Sequence, residues 1–292
     1  MSTVSLRSQK SILRTLKDAL FATFISISII FALGFIIFVF YFLYQQSIPA
    51  WELNIMDKFP SARPQNAGIQ SGFWGSFWVV GIAAVMSIPV GILAGLYLEE
   101  FAKSNRVTRF IDLTIRNLAG VPAVVFGMIG LAFIARGPLS WGFTVGTAAA
   151  VLAMLILPVI IIVTREALRA VPPSFKEGAL ALGATPFQAM MRLVLPHAMP
   201  GIATGSILSV SRAMGESAPL LLLGALAFVT FNPEGLDSDY TVLPLLIFRY
   251  TSDAREEFHA IAAATSLILM ALLFLMNLIA IIIRDRSQRK RN

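Results

Sequence analysis

Residues 21–44 read FATFISISIIFALGFIIFVFYFLY, 24 consecutive residues without a charge. As a helix this run is about 36 Å long, enough to cross a ~30 Å hydrocarbon core with some tilt. Arg7, Lys10, Arg14 and Lys17 precede it, as a basic segment precedes the apolar core of a secretion signal. The run is too long for such a core, and no clear small-x-small cleavage site follows, so it reads as a retained anchor. Comparable apolar runs follow at about 73–98, 117–135, 141–164, 198–230 and 260–283. The expected fold class is therefore all-α, a polytopic membrane protein with six transmembrane helices.

Composition agrees. Hydrophobic residues make up 57% of the 292 and charged residues 13%, with a mean hydropathy of +0.78. A soluble domain carries about 25% charged residues, so neither a water-soluble globule nor a disordered chain fits. With no cysteine, disulfides, thiolate metal sites and cysteine nucleophiles are excluded. The net charge of +7 could suggest nucleic acid, but the placement of the cations argues for a membrane. Seventeen of the 23 Lys and Arg fall before the first run, in the 2–3 and 4–5 connections, or in the tail after residue 283. Five lie on the opposite side (Lys58, Arg63, Arg136, Arg249, Arg255), and Arg212 stands inside the fifth run. The positive-inside rule then places both termini in the cytoplasm.

Four parts follow: a cytoplasmic segment 1–20, a first span with its external loop 21–72, a core 73–283 with a cytoplasmic loop 165–197, and a basic tail 284–292. The tail reads as a stop-transfer and anionic-lipid feature. The external stretch 231–259 is rich in Asp and Glu (Glu234, Asp237, Asp239, Asp253, Glu256, Glu257), as a solvated loop or as a docking surface for an external partner. No G-x-x-x-x-G-K-[ST], G-x-S-x-G or H-E-x-x-H occurs, and His197 and His259 lack ligand-type company. No internal repeat is visible.

The loop 165–197 reads as folded. After Pro172-Pro173, Ser174 and Glu177 have capping-box spacing, and a short helix runs to Leu182. Gly183 then supplies a left-handed residue. Thr185 and Gln188 repeat the spacing with Pro186 at the first helical position, and a second helix is expected to stop before Pro196. An apolar two-helix knob in water calls for a partner; the alternative is an interfacial helix on the lipid.

The fifth run holds Arg212 and Glu216 among Gly201, Gly205, Ser206, Ser209, Ser211, Gly215 and Ser217. A charge at bilayer depth costs at least ~2.5–3.5 kcal/mol, which makes it a functional candidate. At i, i+4 the two could neutralise each other as a structural pair. On a translocation path, Arg212 would attract an anion and Glu216 would hold Arg212 and temper its grip. Gly215 and Pro219 predict a break, with a half-helix from about Ser217 offering backbone N–H groups to an anion. Ser209 and Ser217 complete the candidate path.

Two segments carry a resemblance. Glu177-Gly178-Ala179, three residues, Gly183, nine residues and Leu193-Val194-Leu195-Pro196 resemble the EAA loop of ABC importer permeases, with Gly178 in place of the usual Ala. Arg212-Ala-Met-Gly-Glu216-Ser-Ala-Pro219-Leu-Leu resembles the R-x-x-G-E-[TS]-A-P-L-L segment of the phosphate importer permeases of the PstA family. Pro89-Val-Gly-Ile-Leu-Ala-Gly-Leu-Tyr-Leu-Glu-Glu100 extends the likeness, which covers about residues 70–285. It implies a type I ABC importer permease in the bacterial inner membrane. Glu177, Gly178, Ala179, Gly183, Leu195 and Pro196 would meet the ATPase. The implied partners are a second, PstC-like permease, two copies of a PstB-like ATP-binding subunit and a PstS-like phosphate-binding protein outside. ATP and Mg would sit on the ATPase, with no cofactor and no catalysis on this chain. Another oxyanion importer (molybdate or sulfate), a secondary anion transporter and a membrane scaffold remain alternatives.

Overall fold

The computed structural model describes residues 12–224 and 228–289. The cations at 7, 10, 290 and 291 lie outside the described residues, as do the side chains of Arg14 and Arg289. Helix α1 (Ile12–Trp51) is exposed along nearly its whole apolar length and packs on α11 (Glu256–Arg289). A helix apolar on all sides that touches the rest of the chain along little of its length is built for lipid.

At the centre stands α5 (Val145–Arg169), with most of its residues buried. On one side it packs against α2 (Gln70–Leu96), on the other against α8 (Leu195–Met214). Close approach of α5 and α8 requires Gly205: a Cβ there would stand 1.9 Å from Val163 Cγ1. Small residues at crossings let helix backbones meet in this way. Five helices among the described residues are long and apolar enough to span a membrane.

The third expected span is not one straight helix. Its run breaks at Pro122, and α3 (Arg106–Ala119) meets the following segment Ala123–Ala135 at 103°. Proline disfavours helical geometry in the residue before it, so the helix ends short of Val121. The segment beyond comprises α4 (Ala123–Ile129) and a π-helical turn, Gly130–Ala135. Counting the bent pair as one span gives six.

The two-helix knob is present, with two corrections. Helix α6 (Pro173–Ala181) starts at Pro173 with Pro172 as its N-cap and no side-chain cap bond. Ser174 thus sits inside the first turn, and the Ser174–Glu177 box does not form. The second box does form, Thr185 with Gln188, at the head of α7 (Pro186–Ala189). That helix does not stop before Pro196. It continues through a π-helical turn, Met190–Val194, into α8. Pro196 falls in the first turn of α8, where its missing N–H is tolerated after the shifted ladder of the π turn.

The fifth run also ends earlier than expected. After α8 come α9 (Ala218–Leu222) and an irregular stretch leading to α10 (Leu243–Ser252). This segment is packed, correcting the picture of a solvated loop. Tyr240 and Tyr250 are buried, Tyr250 donates its hydroxyl to Gly68 O at 2.8 Å, and Ser76 Oγ accepts the Leu243 N–H at 2.9 Å. Glu234, Asp237, Glu256 and Glu257 stay exposed on its surface.

Candidate anion path and coupling knob

Arg212 occupies the last turn of α8, and the helix ends on Gly215. Arg212 thus lies in the last turn of the candidate membrane span Pro186–Met214. Arg212 Nε stands 3.5 Å from Glu216 Oε1, with the side chains 64% and 20% exposed respectively. The sequence-predicted pair therefore forms. At this length and exposure it leaves the guanidinium able to hold another anion.

The predicted break at Gly215 and Pro219 is present, but the half-helix beyond it is only the five residues of α9. So short a helix has little dipole to offer, and the anion site expected at Ser217 is corrected to that extent. Ser217 lies instead beside a recess of about 480 Å³ shared with Gly215, Pro244, Ile247, Phe248, Thr251 and Ser252. Thr251 and Ser252 were not singled out from sequence. The amphipathic stretch LPLLIFRYTS at 243–252 was the available signal that α10 folds back. Ser209 is buried and donates its hydroxyl to Gly205 O at 2.8 Å within its own helix. With Arg212 it borders a small cavity of about 20 Å³ also lined by Phe126, Leu155 and Ile156. The structure thus pairs Arg212 with Glu216 and sets Arg212 beside Ser209, while Ser217 lines a separate recess.

The knob turns on Gly183, at φ +86°. Its N–H bonds Leu180 O at 3.0 Å, and the next N–H, of Ala184, bonds Ala179 O at 3.1 Å, forming a Schellman cap. Glu177 and Gly178 point outward, and Glu177 has no ion-pair partner among the described residues. Ala179 points inward. Leu195 is half-buried, against the small core of Leu168, Met190, Val194, Ala198 and Ile202, and Pro196 is exposed. Phe175, Leu180, Leu182 and Phe187 lie open, with Leu182 91% exposed. Such a patch on a compact protrusion fits a protein partner.

With the broken helix and the knob in place, comparison with known proteins is decisive. Residues 87–291 match the family model described as binding-protein-dependent transport system inner membrane component. The chain belongs to that family. A probable ABC transporter permease protein, YqgI, of Bacillus subtilis (strain 168) is 36% identical over 194 residues, 65% of this chain and 64% of that protein. The phosphate transport system permease protein PstA 1 of Mycobacterium tuberculosis (strain H37Rv) is 31% identical over 230 residues, 77% of this chain and 72% of that protein. Among solved structures, the MetNI methionine ABC transporter in an inward-facing form has a TM-score of 0.61 at 17% identity. The match covers 75% of this chain and 95% of that one. The fold is that of an ABC importer permease, and the chain is a membrane permease component.

Proposed function

We propose that the chain is the PstA-type permease subunit of an ATP-driven phosphate importer. Relatives named as phosphate permeases support the substrate class. The observation that carries the site is Arg212, a 64% exposed guanidinium at the end of a broken span. In this reading a PstC-like permease faces it, and a PstS-like binding protein delivers phosphate at the external face. A PstB-like ATPase dimer, which holds ATP and Mg, receives the knob. This chain binds no cofactor and catalyses no chemistry, and both its termini are cytoplasmic.

The mechanism is alternating access. ATP closes the ATPase dimer, the knob moves with it, and the spans reorient. Arg212 attracts the anion while Glu216 holds the guanidinium and keeps the affinity low enough for release. Glu177 is the outward carboxylate offered to the ATPase.

The test is labelled phosphate uptake in cells lacking the chain, complemented with wild type, Arg212→Ala or Arg212→Lys, with excess sulfate or molybdate as competitor. Wild type restores uptake that neither competitor lowers; Arg212→Ala abolishes it, and Arg212→Lys keeps part of it. Competition by sulfate or molybdate reassigns the anion. Full uptake with Arg212→Ala removes this residue from the path.

A further inference from the structure

The second span ends in a π-helical turn, Tyr97–Phe101, and three successive residues on it each hold a different element. Glu99 accepts three N–H bonds from two guanidinia of α5. Arg165 Nε reaches Oε2 at 2.9 Å, Arg169 Nε reaches Oε1 at 2.6 Å, and Arg169 Nη2 reaches Oε2 at 2.8 Å. Arg165 also pairs with Asp112 of α3. Glu100 accepts Lys176 Nζ of α6 at 2.5 Å. The Phe101 ring meets Phe187 of α7 at 6.4 Å between centroids. Consecutive helical residues point in different directions, so one turn can grip several neighbours. Glu99 and Arg165 are 16% and 12% exposed, so both ions are largely withdrawn from water. Breaking one partner of such a pair leaves the other charge uncompensated.

The chain path explains what this arrangement can do. The knob joins α5 and α8 covalently, through residues 170–172 and through the π turn Met190–Val194. It has no covalent link to α2: Lys176 and Glu100 are 76 residues apart. Side chains of the turn 97–101 join α2 to the knob's two helices, while Ile92 and Leu96 of α2 pack against Met190 and Val194 at its base. We infer that Glu99 and Glu100 are positioning residues for transport. They lock the second span to the coupling knob and to the ends of α3 and α5, so that the ATPase stroke moves these elements as one body. The inference rests on the importer reading and names the route by which the stroke reaches a span the knob does not touch in sequence. Tight packing of α2 on α5 carries the motion onward: a Cβ on Gly91 would meet Ile160 Cγ2 at 2.6 Å.

The absence of cysteine allows spin labels to be placed at will. Val85→Cys on α2 and Met191→Cys at the base of the knob, outside its apolar docking patch, replace residues that are 74% and 41% exposed. Their distance is read by electron paramagnetic resonance in the full complex in lipid, without nucleotide and with ATP trapped. In the wild-type background the distance is the same in both states. In Glu99→Gln/Glu100→Gln it shifts and broadens on trapping, and phosphate taken up per ATP hydrolysed falls by about fivefold. A wild-type distance that changes on trapping, or a variant distance that does not, overturns the proposal. If the double variant fails to assemble, Glu100→Lys and Lys176→Glu replace it. Each alone frees the distance and together they fix it again; a pair that does not regain the fixed distance also overturns it. The distance readout does not depend on the anion. Failure of the phosphate assignment would show separately, as a wild-type complex that hydrolyses ATP and takes up no phosphate.

Discussion

Gly183 separates backbone strain from bulk at the coupling knob. Its φ is +86°, and a Cβ built there meets nothing within 4 Å. The cost of a side chain is therefore conformational: about 1–2 kcal/mol for an ordinary L residue in the left-handed region. Asparagine adopts that region more readily, and a β-branched residue less so. Relaxing the turn would give up the bonds from Gly183 N–H to Leu180 O and from Ala184 N–H to Ala179 O. A change of this size alters a conformational population by a factor of about 5–30. Phosphate uptake in complemented cells, normalised to the amount of chain in the membrane, should then rank Gly183→Asn near wild type, Gly183→Ala lower and Gly183→Val lowest. Gly178→Val is the control, because Gly178 also faces open space but lies inside α6 with ordinary helical backbone. Equal losses for Gly183→Asn and Gly183→Val would show that size against the partner matters, not φ. Wild-type uptake with Gly183→Val would refute the reasoning altogether.

Three further outcomes are expected from the same structure. Gly205→Ala places a methyl 1.9 Å from Val163 Cγ1, and valine is stiff at χ1 in a helix. The chain should lose about 1–3 kcal/mol in detergent unfolding, with Val163→Ala restoring part of it; no loss in the single variant would mean that α5 and α8 separate freely. Ser76→Ala leaves the buried Leu243 N–H without its acceptor and should cost about 1–3 kcal/mol, read as a lower thermal midpoint. In the turn between α10 and α11, Arg255 hydrogen-bonds Asp253 and holds its carboxyl at about 2, below the ordinary 3.8. A depressed acid stabilises the fold above its unfolded value and loses that contribution as pH falls through the folded one. The stability difference between wild type and Asp253→Asn should thus be flat from pH 8 to pH 5 and shrink between about 4 and 2; a difference that grows on acidification would contradict the assignment.

What the sequence revealed depended on how local each signal was. Uncharged runs announced α1, α2, α5 and α11 because a bilayer demands long apolar helices whatever they pack against. The Gly183 turn and the Thr185–Gln188 box were legible for the same reason, since each is settled within a few residues. Pro173 defeated the neighbouring Ser174–Glu177 spacing by starting the helix two positions early. Hydropathy marked the third span but runs smoothly across Gly120-Val121-Pro122, so it gave no measure of the 103° bend there. The ties of Glu99, Glu100 and Asp112 were invisible, because their partners lie 53 to 76 residues away. Counting Arg165, Arg169 and Lys176 as topology signals treated them as interchangeable cations. Arg212 and Glu216 stood out because charges are rare in such a run, yet the recess holding Ser217 with Thr251 and Ser252 needed α10 to fold back.

The exposure of Arg212 bears on what completes the site. A guanidinium in the last turn of a candidate span that is 64% exposed in the single chain faces lipid, water or another protein. Lipid is the costly option, at ~2.5–3.5 kcal/mol at the bilayer centre and less towards the span's end. The 3.5 Å contact with Glu216 does not remove that cost, since the carboxylate is itself largely covered and the guanidinium is not. The negative end of the α8 dipole offers a further fraction of a kcal/mol to a cation in the last turn. These terms account for Arg212 being tolerated at the helix end, but they leave most of its donors without protein partners. A second subunit enclosing a hydrated path would resolve the imbalance, because the same donors would then face a passing anion. The neutral recess at Ser217, Thr251 and Ser252 suits such a path: hydroxyls solvate an anion without adding charge that would trap it.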